Sequence, residues 1–178
     1  RTEAAKFVRV PATVRLYEFA AIEPEAAERL SKYEGQLLLN GLSELSEQNA
    51  KRLSRHRGVL ALNGLASLSN SAVESLSWHR SVLSLNGLTA LTDAQAESLR
   101  NYRGELSLRG VVQLTEDQAE SLSGQRGLLD LGGLESLSSS QAGKFSKHQG
   151  DLLLNGLTEL TPAAAIHLGH HHGKLWLE

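Results

Sequence analysis

Apolar residues in this chain follow two alternating patterns. Short segments place leucine at every second position, as Leu60 and Leu62 do within 58–62. Each is followed by a segment in which two apolar residues lie three positions apart, such as Val73 and Leu76. Alternation with period two predicts a strand with one buried face, and the three-residue spacing predicts an amphipathic helix. The chain is therefore predicted to alternate short strands with short helices.

Both patterns recur every 23 residues. The unit reads Gly-x-Leu-x-Leu-Asn-Gly-Leu-x-x-Leu-(Ser/Thr)-x-x-x-Ala-x-x-Leu-x-x-(His/Tyr)-x. Two glycine series mark the period: Gly41, Gly64, Gly87, Gly110, Gly133 and Gly156 form the first, and Gly35, Gly58, Gly104, Gly127, Gly150 and Gly173 form the second, with Ser81 at its remaining position. A fixed period of this length is typical of stacked repeat units, each of which buries its apolar face against its neighbours.

Polar residues mark the boundaries of the predicted elements. Asn-Gly pairs such as Asn63-Gly64 tolerate positive φ and predict a turn where the strand ends. Helix N-caps are predicted at Ser46, Ser69, Thr92, Thr115, Ser138 and Thr161, and three of these have glutamine three residues later, as in a capping box. The second glycine series is predicted to end the helices as C′ residues.

Stacking these units predicts an open right-handed α/β solenoid of strand-turn-helix repeats. Neighbouring strands lie about 4.8 Å apart whereas packed helices need about 8–10 Å, so the parallel sheet is expected on the concave face and the helices on the convex face. Right-handedness follows from the usual strand–helix–strand crossover. Residues 14–178 are predicted to hold one degenerate and about six regular repeats, the last truncated, and residues 1–13 a remnant of an earlier repeat or an N-terminal cap.

Residues 83–94, Leu-Ser-Leu-Asn-Gly-Leu-Thr-Ala-Leu-Thr-Asp-Ala, resemble a strand, asparagine turn and helical half of the leucine-rich repeat proteins, specifically bacterial variants with short convex helices. The resemblance extends over about residues 14–178, and it implies a curved horseshoe and a binding role. In the family's usual pattern asparagine comes three residues after the second strand leucine, whereas here it follows directly. We therefore expect a turn role, rather than the family's asparagine ladder, for Asn40, Asn63, Asn86 and Asn155.

Composition excludes several classes of protein. The chain has 178 residues, 35 of them leucine, so leucine must build the core. It has no cysteine, which removes disulfide frameworks, thiolate metal sites and cysteine nucleophiles. A net charge of −2 argues against a nucleic-acid partner, and no apolar run is long enough for a membrane span. No phosphate-binding loop or nucleophile elbow occurs, so we predict a protein that is not an enzyme and needs no cofactor.

Two groups of polar residues recur at a fixed position of the repeat, and a third forms a local cluster near the C-terminus. His56, His79, His148 and His171 share one position, which Tyr33, Tyr102 and Gln125 fill in other repeats; this variety favours a structural slot defined by shape and hydrogen bonding. The cluster of His167, His170, His171 and His172 has a spacing that can chelate a divalent ion. The basic row of Arg57, Arg80, Arg103 and Arg126 is either ordinary solvated surface or a contact for an acidic partner.

The outward strand positions are the candidate binding site, because the exposed sheet face of a solenoid is rigid and concave. They are Leu38, Val59, Ala61, Val82, Ser84, Glu105, Leu128, Asp130, Leu153 and Trp176. We predict a non-catalytic module that binds a protein or peptide there. Two alternatives stay open: a structural spacer of a larger protein that self-associates end to end, and divalent metal binding by the C-terminal histidines.

Overall fold

The computed structural model describes residues 13–177 as eight strands that alternate with seven helices. The strands are β1 (Thr13–Arg15), β2 (Gln36–Leu38), β3 (Leu60–Ala61), β4 (Leu83–Ser84), β5 (Leu106–Ser107), β6 (Leu129–Asp130), β7 (Leu152–Leu153) and β8 (Leu175–Trp176). The helices are α1 (Pro24–Ser31), α2 (Glu47–Leu53), α3 (Asn70–Leu76), α4 (Asp93–Leu99), α5 (Glu116–Ser123), α6 (Ser139–Phe145) and α7 (Pro162–Leu168). The predicted cap at residues 1–13 lies, except for Thr13, outside the described residues.

The eight strands form one parallel sheet in sequence order, β1 to β8. Each strand pairs with the next in a register of 23 residues, so that Leu60 aligns with Leu83 and Leu83 with Leu106. On the side of the solenoid opposite the sheet, each helix packs against the helix of the next repeat. The predicted open α/β solenoid is therefore confirmed, and each strand-turn-helix unit forms one coil. None of the helices between residues 13 and 177 has the length and apolar run that a bilayer-spanning helix needs.

Leucine builds one continuous core between the sheet and the helices. Both strand leucines of a coil are fully buried, as Leu60 and Leu62 show, and so is the helical pair Val73 and Leu76. Tyr102 and Phe145 are the largest fully buried side chains, and the next largest are all leucines, so aromatic rings are few in the core. Because the buried residues of successive coils form one continuous cluster, the stability of each coil depends on its neighbours.

The six predicted N-caps are confirmed. At each, the Ser or Thr hydroxyl accepts a hydrogen bond from the backbone N–H three residues later, as Thr92 Oγ1 does from Gln95 N at 3.1 Å. The predicted capping boxes at Thr92, Thr115 and Ser138 are complete. Their glutamines also donate to the preceding coil, as Gln118 Nε2 does to Leu91 O at 2.9 Å. The N-cap sequence therefore sets both the helix start and the stacking of the coils.

The prediction that the second glycine series ends the helices is wrong. The helices end several residues before the second glycine series; α2, for example, ends at Leu53 and is capped by Ser54, ahead of Gly58. The Asn-Gly pairs form the predicted turns, but among residues 13–177 positive φ occurs only at Gly35, so these turns do not use it. Both series instead lie against backbone of the preceding coil: a Cβ on Gly127 would collide with the carbonyl oxygen of Gly104. Glycine is required because adjacent coils approach too closely for a side chain.

Candidate functional site

The concave face consists of the outward side chains at and just before the strands. Of the ten residues predicted to form it, eight are accessible: Glu105 is exposed, and Leu38, Val59, Val82, Ser84, Leu128, Leu153 and Trp176 are half-buried. Apolar side chains occupy both ends of this surface, whereas Ser84 and Glu105 make its centre polar. The face therefore offers two apolar zones separated by a polar one.

Two of the ten predicted residues are buried and unavailable as contacts, which corrects the prediction for Ala61 and Asp130. Each retains only 5% of its possible exposure. The Ala61 side chain is too short to rise above its neighbours in the strands on either side. Asp130 accepts hydrogen bonds from Arg109 Nε at 2.6 Å, Ser107 Oγ at 3.1 Å and the backbone N–H of Gly132 at 3.1 Å. This carboxylate is held within the wall of the solenoid.

The asparagines that follow the strands lie in turns, as predicted, but three of the four also link successive coils, so the expectation that they form no ladder is wrong. Asn40 Oδ1 accepts from the backbone N–H of Asn63, and Asn63 Oδ1 from that of Asn86, both at 3.0 Å. Asn63 Oδ1 also accepts from Ser84 Oγ at 2.7 Å. These half-buried amides form an asparagine ladder at the end of the sheet. The ladder satisfies backbone donors that pair with no strand, so it makes this rim of the concave face rigid.

Arg109 takes the asparagine position in the fourth coil of this ladder, and Asp130 compensates for it. The Asn86 side chain still accepts from Arg109 N at 3.0 Å, but the Arg109 side chain has no carbonyl oxygen that could accept from the next coil. Asp130 Oδ1 accepts from Gly132 N instead, while its other oxygen holds the Arg109 guanidinium. The burial of Asp130 therefore follows from the loss of one ladder asparagine.

The recurring His, Tyr and Gln positions form a buried polar column next to the second glycine series. His56 Nε2, Tyr102 Oη and Gln125 Nε2 bond to the carbonyl oxygen of the residue 21 positions earlier, at 3.0, 2.7 and 2.8 Å. His148 does the same at 3.1 Å, whereas His79 lies 3.3 Å from Val82 O. Three different side chains thus provide one donor at one place, which confirms the predicted slot for shape and hydrogen bonding.

Burial in this column lowers the pKa of His56, His79 and His148 below the usual histidine value, because desolvation disfavours the imidazolium form. Since a carbonyl oxygen only accepts, the bonded Nε2 carries the proton of the neutral ring. The Nδ1 atoms of all three are buried and form no hydrogen bond with a described residue. The column is built for neutral histidine.

The four arginines of the basic row are exposed in four successive coils and form no ion pair with any described residue. Each is followed by a glycine or, after Arg80, by Ser81, and then by the first concave-face residue. A groove of about 520 Å³ therefore runs over the small residues, with Arg80, Arg103 and Arg126 on one wall and Val82, Glu105 and Leu128 on the other. We call this groove the glycine trough.

The glycine trough was not predicted from the sequence. Its signal is a glycine series that directly follows the arginines and precedes the outward strand residues, but the same glycines also suit the ends of helices. Its far wall also contains Asp151, whose carboxylate accepts from Lys174 N at 3.0 Å. The trough therefore has a cationic side and a mixed apolar and acidic side.

Trp78, on the convex side, was also not predicted as a surface feature. Its ring is 68% exposed and lines a cleft of about 500 Å³ with Arg80, Arg103 and two carboxylates, Glu74 and Glu97. The same arginines line this cleft and the glycine trough. The basic row thus forms the ridge between the two sides of the solenoid.

The C-terminal histidines are not arranged as a metal site. Within the described part of the chain, no group of three or more His, Asp or Glu side chains is placed to hold a metal ion. The His171 ring stacks on His148 with centroids 6.0 Å apart, and His170 Nδ1 lies 2.8 Å from the Ile166 carbonyl oxygen. His171 thus belongs to the polar column.

Taken together, the parallel sheet, the 23-residue register and the bonds between coils define a repeat protein of the α/β solenoid class. No protein-family model matches this chain, and the comparison with curated proteins gives no match. The assignment to a class therefore rests on the fold.

Proposed function

We propose that this chain is a non-catalytic module that binds a protein or peptide segment on its concave face. The main support is the set of half-buried apolar side chains that point away from the core, among them Val59, Val82, Leu128 and Leu153. These side chains contribute nothing to the leucine core, and their neighbours are fixed by the asparagine ladder and the strand register. A rigid face with accessible apolar groups favours association, because little conformational freedom is lost on binding.

We further propose that the repeats belong to the leucine-rich repeat family. Support comes from the fully buried strand leucines and from an asparagine ladder that joins neighbouring coils. The chain differs from the family's pattern in the position of asparagine, which directly follows the strand here. Because the asparagines still connect neighbouring coils from this position, the difference counts less against membership of the family.

A peptide selection tests the proposed binding face. Peptides selected from a random display library on the full chain should lose most of their affinity for Val82→Arg, because the charged side chain would project from the centre of the concave face. Val112→Arg is the matched control: it makes the same change at a residue 39% exposed and outside the strands. Circular dichroism would confirm that both variants fold. Equal binding to both variants and to the wild-type chain would refute the concave face as the site.

A second candidate function is a structural segment that self-associates end to end. It is favoured by exposed apolar side chains in the last coil, where Leu160, Ile166 and Leu177 are 41%, 65% and 43% exposed. Under this proposal, light scattering over a concentration series should show growth of the apparent mass, and Ile166→Arg should abolish that growth. A constant monomer mass at all concentrations would refute it.

A further inference from the structure

We infer that the glycine trough binds an extended peptide segment in which acidic residues alternate with apolar residues. This inference rests on the proposed binding function and specifies the chemistry of the partner. The segment would lie along the trough, across the ends of the strands, with its carboxylates on the basic row. Its remaining side chains would face the opposite wall.

The first argument is the state of the arginines. Some cations of this protein pair with carboxylates, as Arg109 does with Asp130 at 2.6 Å and Lys144 with Glu120 at 3.2 Å, whereas others, such as Arg29, pair with no described residue. The basic row has no such partner among the described residues although Glu105 lines the same groove. Glu74 and Glu97 share the convex-side cleft with Arg80 and Arg103 but form no ion pair with them. Each of the three guanidinium groups that line the trough can therefore take a carboxylate in bidentate fashion.

The second argument is the spacing of the coils beside the row. The rings of His56 and His79, one residue before Arg57 and Arg80, have centroids 6.2 Å apart, and those of His148 and His171 are 6.0 Å apart. An extended peptide advances about 3.3 Å per residue, so side chains on one side repeat at about 6.6 Å. Over the two intervals from Arg80 to Arg126 the mismatch is about 1 Å, which arginine side chains can absorb. Five residues with acidic groups at positions 1, 3 and 5 would match the three arginines of the trough.

The third argument is the composition of the opposite wall. Alternate side chains of an extended segment point in opposite directions. Those directed away from the arginines would meet Val82, Glu105 and Leu128. Apolar groups suit this wall, whereas a partner charged at every position would place anions against Glu105 and Asp151. The trough therefore favours an alternating peptide over a uniformly charged polyanion such as single-stranded nucleic acid.

The test is selection of heptapeptides from a random library on the full chain, followed by fluorescence anisotropy with the enriched peptides. We expect Asp or Glu at every second position of the enriched pool. A peptide of the same composition with its acidic residues grouped together should bind at least about fivefold more weakly. Enriched peptides without acidic residues, or equal binding of the grouped peptide, would overturn the inference.

Variants locate the contact. Arg80→Gln combined with Arg103→Gln removes two exposed ion pairs and should weaken peptide binding about tenfold. The control is Arg29→Gln combined with Arg52→Gln, which makes the same change of charge at two convex-side arginines that form no ion pair with a described residue. It should change the affinity less than twofold. Equal effects of the two pairs would overturn the inference.

The outcomes separate this inference from the proposed function. If Val82→Arg abolishes binding but Arg80→Gln with Arg103→Gln does not, the concave face binds peptides and the acidic preference is wrong. If no peptide is enriched over bare support, both proposals fail. A single-stranded oligonucleotide that binds the basic row more tightly than the alternating peptide would also overturn the choice of partner.

Discussion

The asparagine ladder gives the sharpest test of how the coils are held together. Asn63 Oδ1 accepts from Asn86 N at 3.0 Å and from Ser84 Oγ at 2.7 Å. Asn63→Ala removes both acceptor contacts and leaves a half-buried backbone N–H without a partner. An unsatisfied buried donor costs about 1–3 kcal/mol and a neutral hydrogen bond contributes about 1 kcal/mol. We therefore expect Asn63→Ala to lower the free energy of unfolding by about 2–3 kcal/mol.

Two further substitutions at the same residue separate a ladder role from a turn role. Asn63→Asp keeps an oxygen in place for both donors, so we expect a loss below about 1 kcal/mol. Asn63→Gly suits a turn at least as well as asparagine does, yet it removes the acceptor and should cost as much as alanine. A pure turn role predicts the opposite order, with glycine tolerated.

The assay is urea denaturation at pH 7, followed by far-ultraviolet circular dichroism. Asn101→Ala is the control, because Asn101 is exposed and its side chain bonds to no described residue; we expect a change below about 0.5 kcal/mol. An Asn63→Ala loss no larger than that of the control, or glycine better tolerated than aspartate, would refute the ladder argument.

The polar column and the glycines lead to two further predictions. Because burial lowers the folded-state pKa of His56, His79 and His148, the unfolded chain takes up protons first as the pH falls below the ordinary value of 6.5, and stability should decrease from about pH 7 toward pH 5. His79→Gln, which puts the residue of the Gln125 slot there, should reduce this slope by up to about 1.36 kcal/mol per pH unit in urea titrations, and an unchanged slope would contradict the neutral column. Gly127→Ala should lower the free energy of unfolding by about 1–3 kcal/mol or more, because its Cβ would collide with Gly104 O. Gly143 lies in α6, and a Cβ there would have no neighbour nearer than 3.5 Å, so Gly143→Ala should raise the free energy of unfolding by about 0.5–1 kcal/mol. Thermal unfolding of both variants measures this, and equal effects would show that contact across coils does not select glycine.

Local signals in the sequence were enough to predict the secondary structure and the repeat. Strand leucines such as Leu60 and Leu62, and N-caps such as Thr92 and Thr115, act within a few residues of their own position. Their period of 23 residues then determined the register of the sheet. For these features, the structure predicted from neighbouring residues in the sequence is the structure found in the fold.

Features that depend on the adjacent coil could not be predicted in this way. The reason for glycine at position 127 is a carbonyl oxygen 23 residues earlier, and the acceptor role of Asn63 depends on Asn86 in the next coil. Asp130 is buried because Arg109 replaces an asparagine 21 residues before it. These contacts between residues about 23 positions apart are known only once the coils are stacked in the structure. The glycine trough was missed for the same reason.

The side-chain bonds between coils described above all join residues 21 to 27 positions apart, so each coil is fastened to its immediate neighbour. Duplication or loss of one 23-residue repeat would consequently leave most remaining bonds intact. A repeat inserted between Arg109 and Asp130 would separate these two residues and break their bond. Each additional arginine-bearing repeat would lengthen the groove by about 6 Å. The reach of this protein along a partner is therefore a quantity that evolution or engineering can adjust in discrete steps.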